Sequence, residues 1–194
     1  MNFIFDKDII LENDAVQLRP ILLTDFEYLK PLAIGDKKLL EYSPKPIYTE
    51  PLLLNFIKEA ILNRENQTRY TFIAYCKKTQ AYAGCTSFMN ISNHDDKLEI
   101  GGTWFGRTFH RSGVNRNCKY LMLEYAFERL LAERIEFKTD ERNIVSRKAI
   151  EAIGGKMEGV FRYHMLLSDG HRRNTVYYSI LREEWPDLKV KLLK

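Results

Sequence analysis

The 194-residue sequence lacks most of the features that mark membrane, secreted or metal-binding proteins. No apolar run approaches the roughly 18 residues that a membrane-spanning helix needs, so we expect no membrane partner. The three cysteines, Cys76, Cys85 and Cys118, are odd in number and have no paired close spacing, which argues against a disulfide framework or a zinc site. The N-terminal residues show no signal-peptide pattern, and we therefore expect a cytoplasmic protein without a bound metal.

The chain also has no large excess of charge of one sign, and it has neither an internal repeat nor a low-complexity tract. The 30 Lys and Arg residues exceed the 26 Asp and Glu residues only slightly, which gives a formal net charge of +4. This excess permits an anionic ligand but does not require nucleic acid. Because no interleaved basic and aromatic RNA-binding motif occurs, we expect no nucleic-acid partner. The basic cluster at residues 171–173 has two possible roles. It contacts an acidic group, or it has no partner.

The composition is typical of a folded protein with a substantial core. Hydrophobic residues make up 45% of the chain, and 11 Tyr and 11 Phe supply large apolar side chains. A disordered chain does not have this composition. The length fits a single domain over residues 1–194, with a core from about residue 15 to residue 185.

Hydrophobic periodicity predicts alternating blocks of strands and helices. Strands are predicted over residues 15–19, 70–76, 82–91, 98–105, 135–139, 157–167 and 175–181. Helices are predicted over residues 24–32, with Thr24 as the N-cap, and over 50–64, 114–131 and 143–153. The strand–helix–strand crossover from residue 98 to residue 139 favours a parallel pair. The order predicts an α+β fold with a mixed sheet.

A short glycine-containing loop joins the strand that ends near residue 105 to the helix that begins near residue 114. Its residues are His110, Arg111, Ser112, Gly113, Val114 and Asn115. The first N–H groups of a helix have no partner within the helix and carry partial positive charge, which suits a pyrophosphate. A loop of this kind is also common as an ordinary turn, because it lacks the motifs of nucleotide P-loops and dinucleotide folds.

Three segments in this order resemble the GNAT superfamily of N-acetyltransferases, and within it the RimJ/RimL-like branch of ribosomal-protein N-terminal acetyltransferases. Leu-Glu-Ile-Gly-Gly-Thr-Trp-Phe at 98–105 resembles a Glu-Ile-Gly strand, residues 110–115 resemble the acyl-CoA loop, and residues 143–155 resemble the Asn-x-x-Ser helix that ends in Gly. The resemblance covers about residues 16–185. His110 in place of Gln or Arg, Asn115 in place of a small residue, and Gly155 in place of an aromatic residue depart from the pattern.

The resemblance implies an α+β fold of the α/β/α sandwich type. Its mixed, mostly antiparallel central sheet has a parallel strand pair splayed around acyl-CoA. It also implies transfer of an acetyl group from acetyl-CoA, as co-substrate, to a primary amine. The implied cofactor-binding residues are Thr103, Trp104, Phe105, His110, Arg111, Ser112, Gly113, Val114, Asn115, Asn143, Ser146 and Arg147. An oxyanion-binding amide is expected near residues 103–105, freed by a bulge at Gly101 and Gly102.

Acetyl transfer to an amine needs a group that takes the amine proton and a group that assists the departing thiolate. An α-amine has a pKa of about 8 and is mostly protonated at neutral pH. Glu99 is the candidate general base, unless its side chain lies on the outer face of the strand. Ser146 is the candidate for assisting the CoA thiolate, unless it only caps its helix. Asn143 fits both an N-cap and a pantetheine contact.

The acceptor amine remains open at this stage. The aromatic, proline-rich segment between residues 42 and 48 lacks a dense acidic cluster, which favours a peptide N-terminus or a small amine over a polyamine. A small-molecule amine such as an antibiotic, polyamine or metabolite is the alternative acceptor. A non-catalytic CoA-binding module is a further reading. Both a monomer and a homodimer are compatible with the sequence.

Overall fold

A computed structural model of the protein describes residues 1–193 and contains one eight-stranded sheet. The strands are β1 (Leu11–Glu12), β2 (Val16–Pro20), β3 (Arg69–Cys76), β4 (Ala81–Ser92), β5 (Lys97–Phe105), β6 (Arg134–Asp140), β7 (Lys156–Leu166) and β8 (Arg172–Leu181). The helices are α1 (Phe26–Ala33), α2 (Glu50–Glu65), α3 (Val114–Glu124), α4 (Ile144–Ala152) and α5 (Trp185–Leu193). No helix within residues 1–193 is long and apolar enough to cross a membrane.

The strands are arranged in the order β1-β2-β3-β4-β5-β6-β8-β7. All neighbours are antiparallel except β5 and β6, which are parallel and are joined through α3. The predicted α+β class, the mostly antiparallel sheet and the parallel pair are therefore confirmed.

The sheet has a hydrophobic core on each face, because successive residues of a strand point to opposite sides. Tyr70 and Phe72 of β3 belong to the larger cluster, which also contains the buried residues of α3. Ile73 of the same strand belongs to the second cluster, which includes Leu29 of α1 and Leu53 of α2. The central strands are thus covered by α3 on one side and by α1 and α2 on the other.

The predicted start of α1 at Thr24 is wrong. A 3₁₀ turn spans Leu23–Asp25, and the N-cap position of α1 is Asp25. The Asp25 carboxylate accepts a hydrogen bond from the backbone N–H of Leu22 (2.8 Å), so it is Asp25 that satisfies an amide at this end. Asp25 is also fully buried against Arg19, with which it forms two hydrogen bonds.

The helix predicted over residues 114–131 changes its character part of the way along. The α-helical hydrogen bonding of α3 ends at Glu124, and a π-helical segment follows at Tyr125–Arg129. Leu131 then adopts φ of 58°, which ends the helical run.

Two elements were not predicted from the sequence, the short β1 and the C-terminal α5. Within α5, Trp185 is buried and its ring stacks against Phe127 at a centroid distance of 5.7 Å. The spacing of Trp185 and Leu188, which packs against the same cluster, is the signal that predicts such a helix.

One edge of the sheet is formed by β7, and most residues of this strand are exposed on both of its faces. Apolar and charged side chains are interspersed along it. The apolar ones include Phe161 and Tyr163, and the charged ones include Glu158 and Arg162.

Candidate active site

The parallel strands β5 and β6 pair over only three positions and then diverge. Lys97, Leu98 and Glu99 of β5 are paired with β6, whereas both strands continue for several residues beyond the last pair. The two strands therefore form a V whose open end lies at their carboxyl ends. The two strands are parallel, so their carboxyl ends lie on the same side of the sheet. The helices that follow them, α3 and α4, therefore begin next to this opening.

A β-bulge lies in β5 just beyond the last paired position. Ser87 of β4 pairs with Gly101 and Cys85 pairs with Trp104, so two residues of β5 oppose the single residue between them on β4. Gly102 has φ of +56° and is exposed, and a Cβ there would overlap the guanidinium of Arg69. Only glycine fits this position without displacing Arg69. The bulge expected at Gly101 and Gly102 is thus present.

The side chains of the three predicted cofactor-binding residues in β5 are engaged within the protein. Trp104 is buried in the core beneath α1 and α2, and Phe105 is buried in the core beneath α3. The hydroxyl of Thr103 lies 2.8 Å from that of Thr86. Any contact from residues 103–105 to a ligand in the cleft therefore comes from their backbone.

The loop before α3 presents free backbone amides, as the sequence predicts for an anion-binding turn. Gly113 is the N-cap with φ of 88°, and the amides of Asn115 and Arg116 have no partner among residues 1–193. The loop is held by its own side chains. A ring nitrogen of His110 lies 3.0 Å from the Phe105 carbonyl oxygen, and Ser112 Oγ donates to the Phe109 carbonyl at 2.6 Å.

Other residues of this loop differ in their exposure. Arg111 is exposed and has φ of 59°, an unfavourable conformation for a residue with a side chain. Val114 is buried in the core and anchors the start of α3. Asn115 Oδ1 is buried and has no hydrogen-bond partner within the described chain. Free amides and an exposed cation at one helix end fit a phosphate-bearing ligand such as acyl-CoA.

The start of α4 contains the second predicted group of site residues. Asn143 is the N-cap, and its Oδ1 accepts a hydrogen bond from the Ser146 amide at 3.0 Å, which confirms the capping role. The hydroxyl of Ser146 has no hydrogen-bond partner among the described residues, and the side chain is half-buried. Arg147 donates to the Tyr178 hydroxyl at 3.1 Å. Ser146 is therefore free to contact a ligand, whereas Arg147 has a protein partner.

Glu99 occupies the last paired position of the V, and its side chain is buried. Its Oε2 accepts a hydrogen bond from Asn90 Nδ2 at 2.6 Å and lies 2.9 Å from Lys138 Nζ. Its Oε1 has no partner in residues 1–193 and lies over Gly101, 2.9 Å from where a Cβ would be. One carboxylate oxygen is thus fixed and the other is free. No hydrogen bond within the described chain joins Glu99 to Ser146, which lies at the open end of the V.

Lys138, on β6, contacts both carboxylates of the parallel pair. Its Nζ lies 2.9 Å from Glu99 Oε2 and 3.3 Å from Glu136 Oε2. Burial alone lowers the pKa of Lys138, but the hydrogen bond and charge of Glu99 outweigh burial and raise it above its ordinary value. The lysine therefore stays charged beside Glu99 at neutral pH. The sequence analysis did not identify Lys138, which comes from a separate strand.

Lys119 is a second lysine that the sequence analysis missed, and it has no acidic partner within residues 1–193. It lies on α3, is 7% exposed, and donates to Thr103 Oγ1 at 2.6 Å and to Thr86 Oγ1 at 3.1 Å. Burial lowers its pKa to about 7. The ammonium thus lies directly behind the bulge of β5. Its neighbour Cys118 belongs to the predicted apolar stripe of the helix, and nothing in the sequence distinguishes Lys119 from a surface lysine.

The segment between α1 and α2 closes over the other face of the sheet. The Tyr42 carbonyl accepts a hydrogen bond from Arg173 at 3.3 Å, and Arg142 lies over the Tyr42 ring. Asp36 forms two hydrogen bonds with Arg107. Of the basic cluster at residues 171–173, Arg173 is buried in this contact. No cluster of three or more potential metal ligands occurs within residues 1–193.

Comparisons with known proteins place the chain in a family. The Acetyltransferase (GNAT) domain family matches residues 16–156. The Bacillus subtilis (strain 168) protein named "Putative ribosomal N-acetyltransferase YdaF" is 32% identical over 102 residues, which are 53% of this chain; the matched part spans about half of YdaF, 55%. The protein named "Uncharacterized N-acetyltransferase YnaD" from the same organism is 22% identical over 174 residues, covering 88% of this chain and 98% of YnaD.

Among solved structures, a GCN5-related N-acetyltransferase from Brucella melitensis superimposes with a TM-score of 0.87 at 25% identity. The superposition covers 96% of this chain and 85% of that one. A domain match over residues 16–156, together with this shared structure, shows that the chain belongs to the GNAT acetyltransferase family of acyl-CoA-dependent N-acetyltransferases.

Proposed function

We propose that this protein transfers an acetyl group from acetyl-CoA to a primary amine, with a protein N-terminal α-amine as the leading acceptor. The observation that carries the proposal is the V between β5 and β6, with a half-free carboxylate at its closed end and unpaired amides at its open end. The name of the similar YdaF protein supports a ribosomal protein as the source of the amine.

The proposed cofactor site lies at the open end of the V between β5 and β6. Free amides at Asn115 and the N-terminus of α3, with Ser112, Gly113 and Val114 shaping the turn, bind the pyrophosphate. His110 fixes the turn through Phe105, and the exposed Arg111 adds positive charge. When bound, acetyl-CoA supplies the activated acyl group. Backbone groups of residues 103–105 line one side of the V, and Asn143, Ser146 and Arg147 line the other.

Glu99 is the proposed general base. Lys138 and Asn90 hold Oε2, so the carboxylate cannot rotate freely, and Oε1 faces the space over Gly101. An α-amine with a pKa of about 8 arrives mostly protonated at neutral pH, and Glu99 Oε1 takes that proton directly or through water. The deprotonated amine is the nucleophile that the reaction needs.

Ser146 is the proposed donor to the departing thiolate. Its hydroxyl has no partner within residues 1–193, and its backbone amide is already used by Asn143. The Asn143 cap therefore fixes the first turn of α4 while the Ser146 hydroxyl stays available. This arrangement supports a functional role for Ser146 in addition to the capping interaction of its amide.

The test is the release of CoA thiol from acetyl-CoA across a panel of peptides with free N-termini, lysine peptides, polyamines and aminoglycosides. We expect turnover with N-terminal peptides. Glu99→Gln lowers kcat by about 100-fold or more, the usual contribution of a general base, with little change in acetyl-CoA affinity. Glu136→Gln is the matched control, because Glu136 contacts the same lysine from the neighbouring strand.

Three results would refute parts of this proposal. Turnover with polyamines or aminoglycosides alone would replace the acceptor with a small-molecule amine. Equal activity of Glu99→Gln and the parent protein from pH 6 to pH 9, the range about the pKa of an α-amine, would remove Glu99 as the base. Binding of acetyl-CoA without turnover of any amine would favour a non-catalytic CoA-binding module.

A further inference from the structure

Arg69 lies at the bulge of β5 on the face of the sheet that carries α1 and α2. It is the first residue of β3, and its guanidinium lies against Gly102, where a Cβ would overlap Nη2. Gly102 itself is exposed. The absence of a side chain at this position therefore leaves the guanidinium open to the space over the bulge.

The hydrogen bonds of Arg69 leave most of its donors unused. Nε donates to Ser87 Oγ at 3.0 Å, and Ser87 Oγ donates in turn to Thr71 Oγ1 at 3.1 Å. Neither Nη1 nor Nη2 has a partner within residues 1–193. Neither atom is among the buried side-chain atoms that lack a partner, so both keep some contact with solvent. The two terminal nitrogens, which together can bind a carboxylate through two hydrogen bonds, are thus free.

No carboxylate neutralises Arg69 within the described chain, although other partly buried arginines are neutralised. Arg19 is paired with Asp25, and Arg134 with Glu158. Of the two carboxylates whose charge acts on Arg69, Glu59 is held by Lys45 and Glu99 by Lys138. Burial lowers the pKa of Arg69 below its ordinary value, which is the direction expected for an uncompensated cation.

The free atoms of Arg69 and Glu99 face neighbouring residues of the same strand. Glu99 Oε1 lies over Gly101, and Arg69 Nη2 lies over Gly102. The two side chains form no salt bridge, so they are more than 4.0 Å apart. Because adjacent Cα atoms are about 3.8 Å apart, their separation is roughly 5 to 10 Å. At this spacing, the free Glu99 oxygen can bind an amine while the free Arg69 guanidinium binds a carboxylate a few bonds away in the same molecule.

We propose that Arg69 binds a carboxylate of the acceptor, so that the preferred substrates are primary amines with a carboxylate two to five bonds from the nitrogen. The inference rests on the proposed acetyl transfer and on Glu99 as the group that receives the amine. Two sources supply this chemistry, a free α-amino acid and a peptide whose N-terminal residue is Asp or Glu.

The experiment compares pairs of acceptors in which a carboxylate is replaced by a neutral amide. One pair is an amidated peptide with N-terminal Asp and the same peptide with N-terminal Asn. The other pair is alanine and alaninamide. We expect kcat/KM to favour the carboxylate member of one pair by about 10- to 100-fold, the factor given by a hydrogen bond between charged groups. The pair that shows the preference identifies the source of the carboxylate.

Variants of Arg69 separate recognition from structural support. Arg69→Met reduces the preference to within about threefold and leaves kcat/KM for the uncharged member within a few-fold of the parent value. Arg69→Lys, which keeps the charge but loses the pair of terminal nitrogens, retains part of the preference and serves if the Met variant does not fold. Equal rates on both members of both pairs, or an undiminished preference in both variants, would overturn the inference.

A binding measurement tests the anion site separately from catalysis. If acetyl-CoA binds but none of the four acceptors is acetylated, the proposed transfer to these amines fails. The anion site is then tested by calorimetric titration of both pairs in the presence of CoA. Tighter binding of the carboxylate member of one pair that is lost in Arg69→Met supports the anion site. Equal binding of the two members in both pairs refutes it.

Discussion

The buried ammonium of Lys119 opposes folding, and replacing it with Met tests this directly. The side chain is 7% exposed, and its partners in the described part of the chain are two threonine hydroxyls. Its neighbour Cys118 provides no negative charge, because burial raises the pKa of the thiol to about 12. A cation taken out of water without a carboxylate loses most of its hydration. Lys119→Met keeps a similar shape, and Thr86 and Thr103 still pair with each other in the variant.

The magnitude follows from the two pKa values of Lys119. The pKa is about 7 in the folded protein and 10.5 ordinarily, a difference of 3.5. At about 1.4 kcal/mol for each pKa unit, protonation costs about 5 kcal/mol of folding stability well below pH 7. Between pH 7 and pH 10.5 the unfolded chain binds more protons than the folded one, so stability rises with pH in this window. The cost is about 2 kcal/mol at pH 9 and between about 4 and 5 kcal/mol at pH 6.

The assay is urea unfolding of both proteins at pH 6, 7, 8 and 9. We expect the free energy of unfolding of the parent protein to fall by about 2 to 3 kcal/mol relative to Lys119→Met between pH 9 and pH 6. Lost hydrogen bonds and altered packing shift the difference by a constant amount and leave its pH dependence unchanged. Lys148→Met, at an exposed lysine of α4, is the control and shows no such trend. A difference that stays flat from pH 6 to pH 9 would refute the reasoning.

Three further substitutions test other parts of the structure. Gly113→Val raises the KM for acetyl-CoA about tenfold, because a β-branched residue is strained at φ of 88°. Its control is Gly170→Val, which has the same strain at φ of 84° in a hairpin turn and leaves this KM unchanged. Ser146→Ala lowers kcat about tenfold without changing acetyl-CoA affinity or the melting temperature, since only the backbone amide of Ser146 donates to the Asn143 cap; an unchanged kcat argues for a structural role alone. Arg19→Met destabilises the protein by about 3–5 kcal/mol in urea unfolding, because Asp25 is left buried and unpaired, and adding Asp25→Asn restores part of this loss; full stability of the single variant contradicts the pairing.

Most of the fold could be predicted because its signals are local. The period of two in β2 and the period of 3.6 in α2 and α3 are visible within one segment, and the order of the elements indicates the parallel crossover. The errors arise where a neighbour changes the local preference. Asp25 replaces Thr24 at the start of α1 because its carboxylate binds the Leu22 amide and Arg19 together. Residue spacing alone does not predict these interactions of Asp25.

The same distinction applies to the candidate site. The loop before α3 and the Asn143 cap are features of consecutive residues, so their positions could be predicted. The groups that surround Glu99 and the bulge come from other strands and helices. Lys138 reaches Glu99 across the parallel pair, Arg69 reaches Gly102 from the far side of β4, and Lys119 reaches Thr103 from α3. Each of these residues looks like a surface residue in the sequence and gains its role only from the sheet order.

The exposed edge strand β7 has a consequence for the behaviour of the protein at high concentration. A long strand edge with open N–H and C=O groups is a template on which another chain can add a strand, and apolar side chains such as Phe161 and Tyr163 strengthen that attraction. Glu158 and Arg162 interrupt the apolar surface and must be desolvated before a second strand can pair. The colloidal stability of this protein therefore depends on two side chains that contribute nothing to its core.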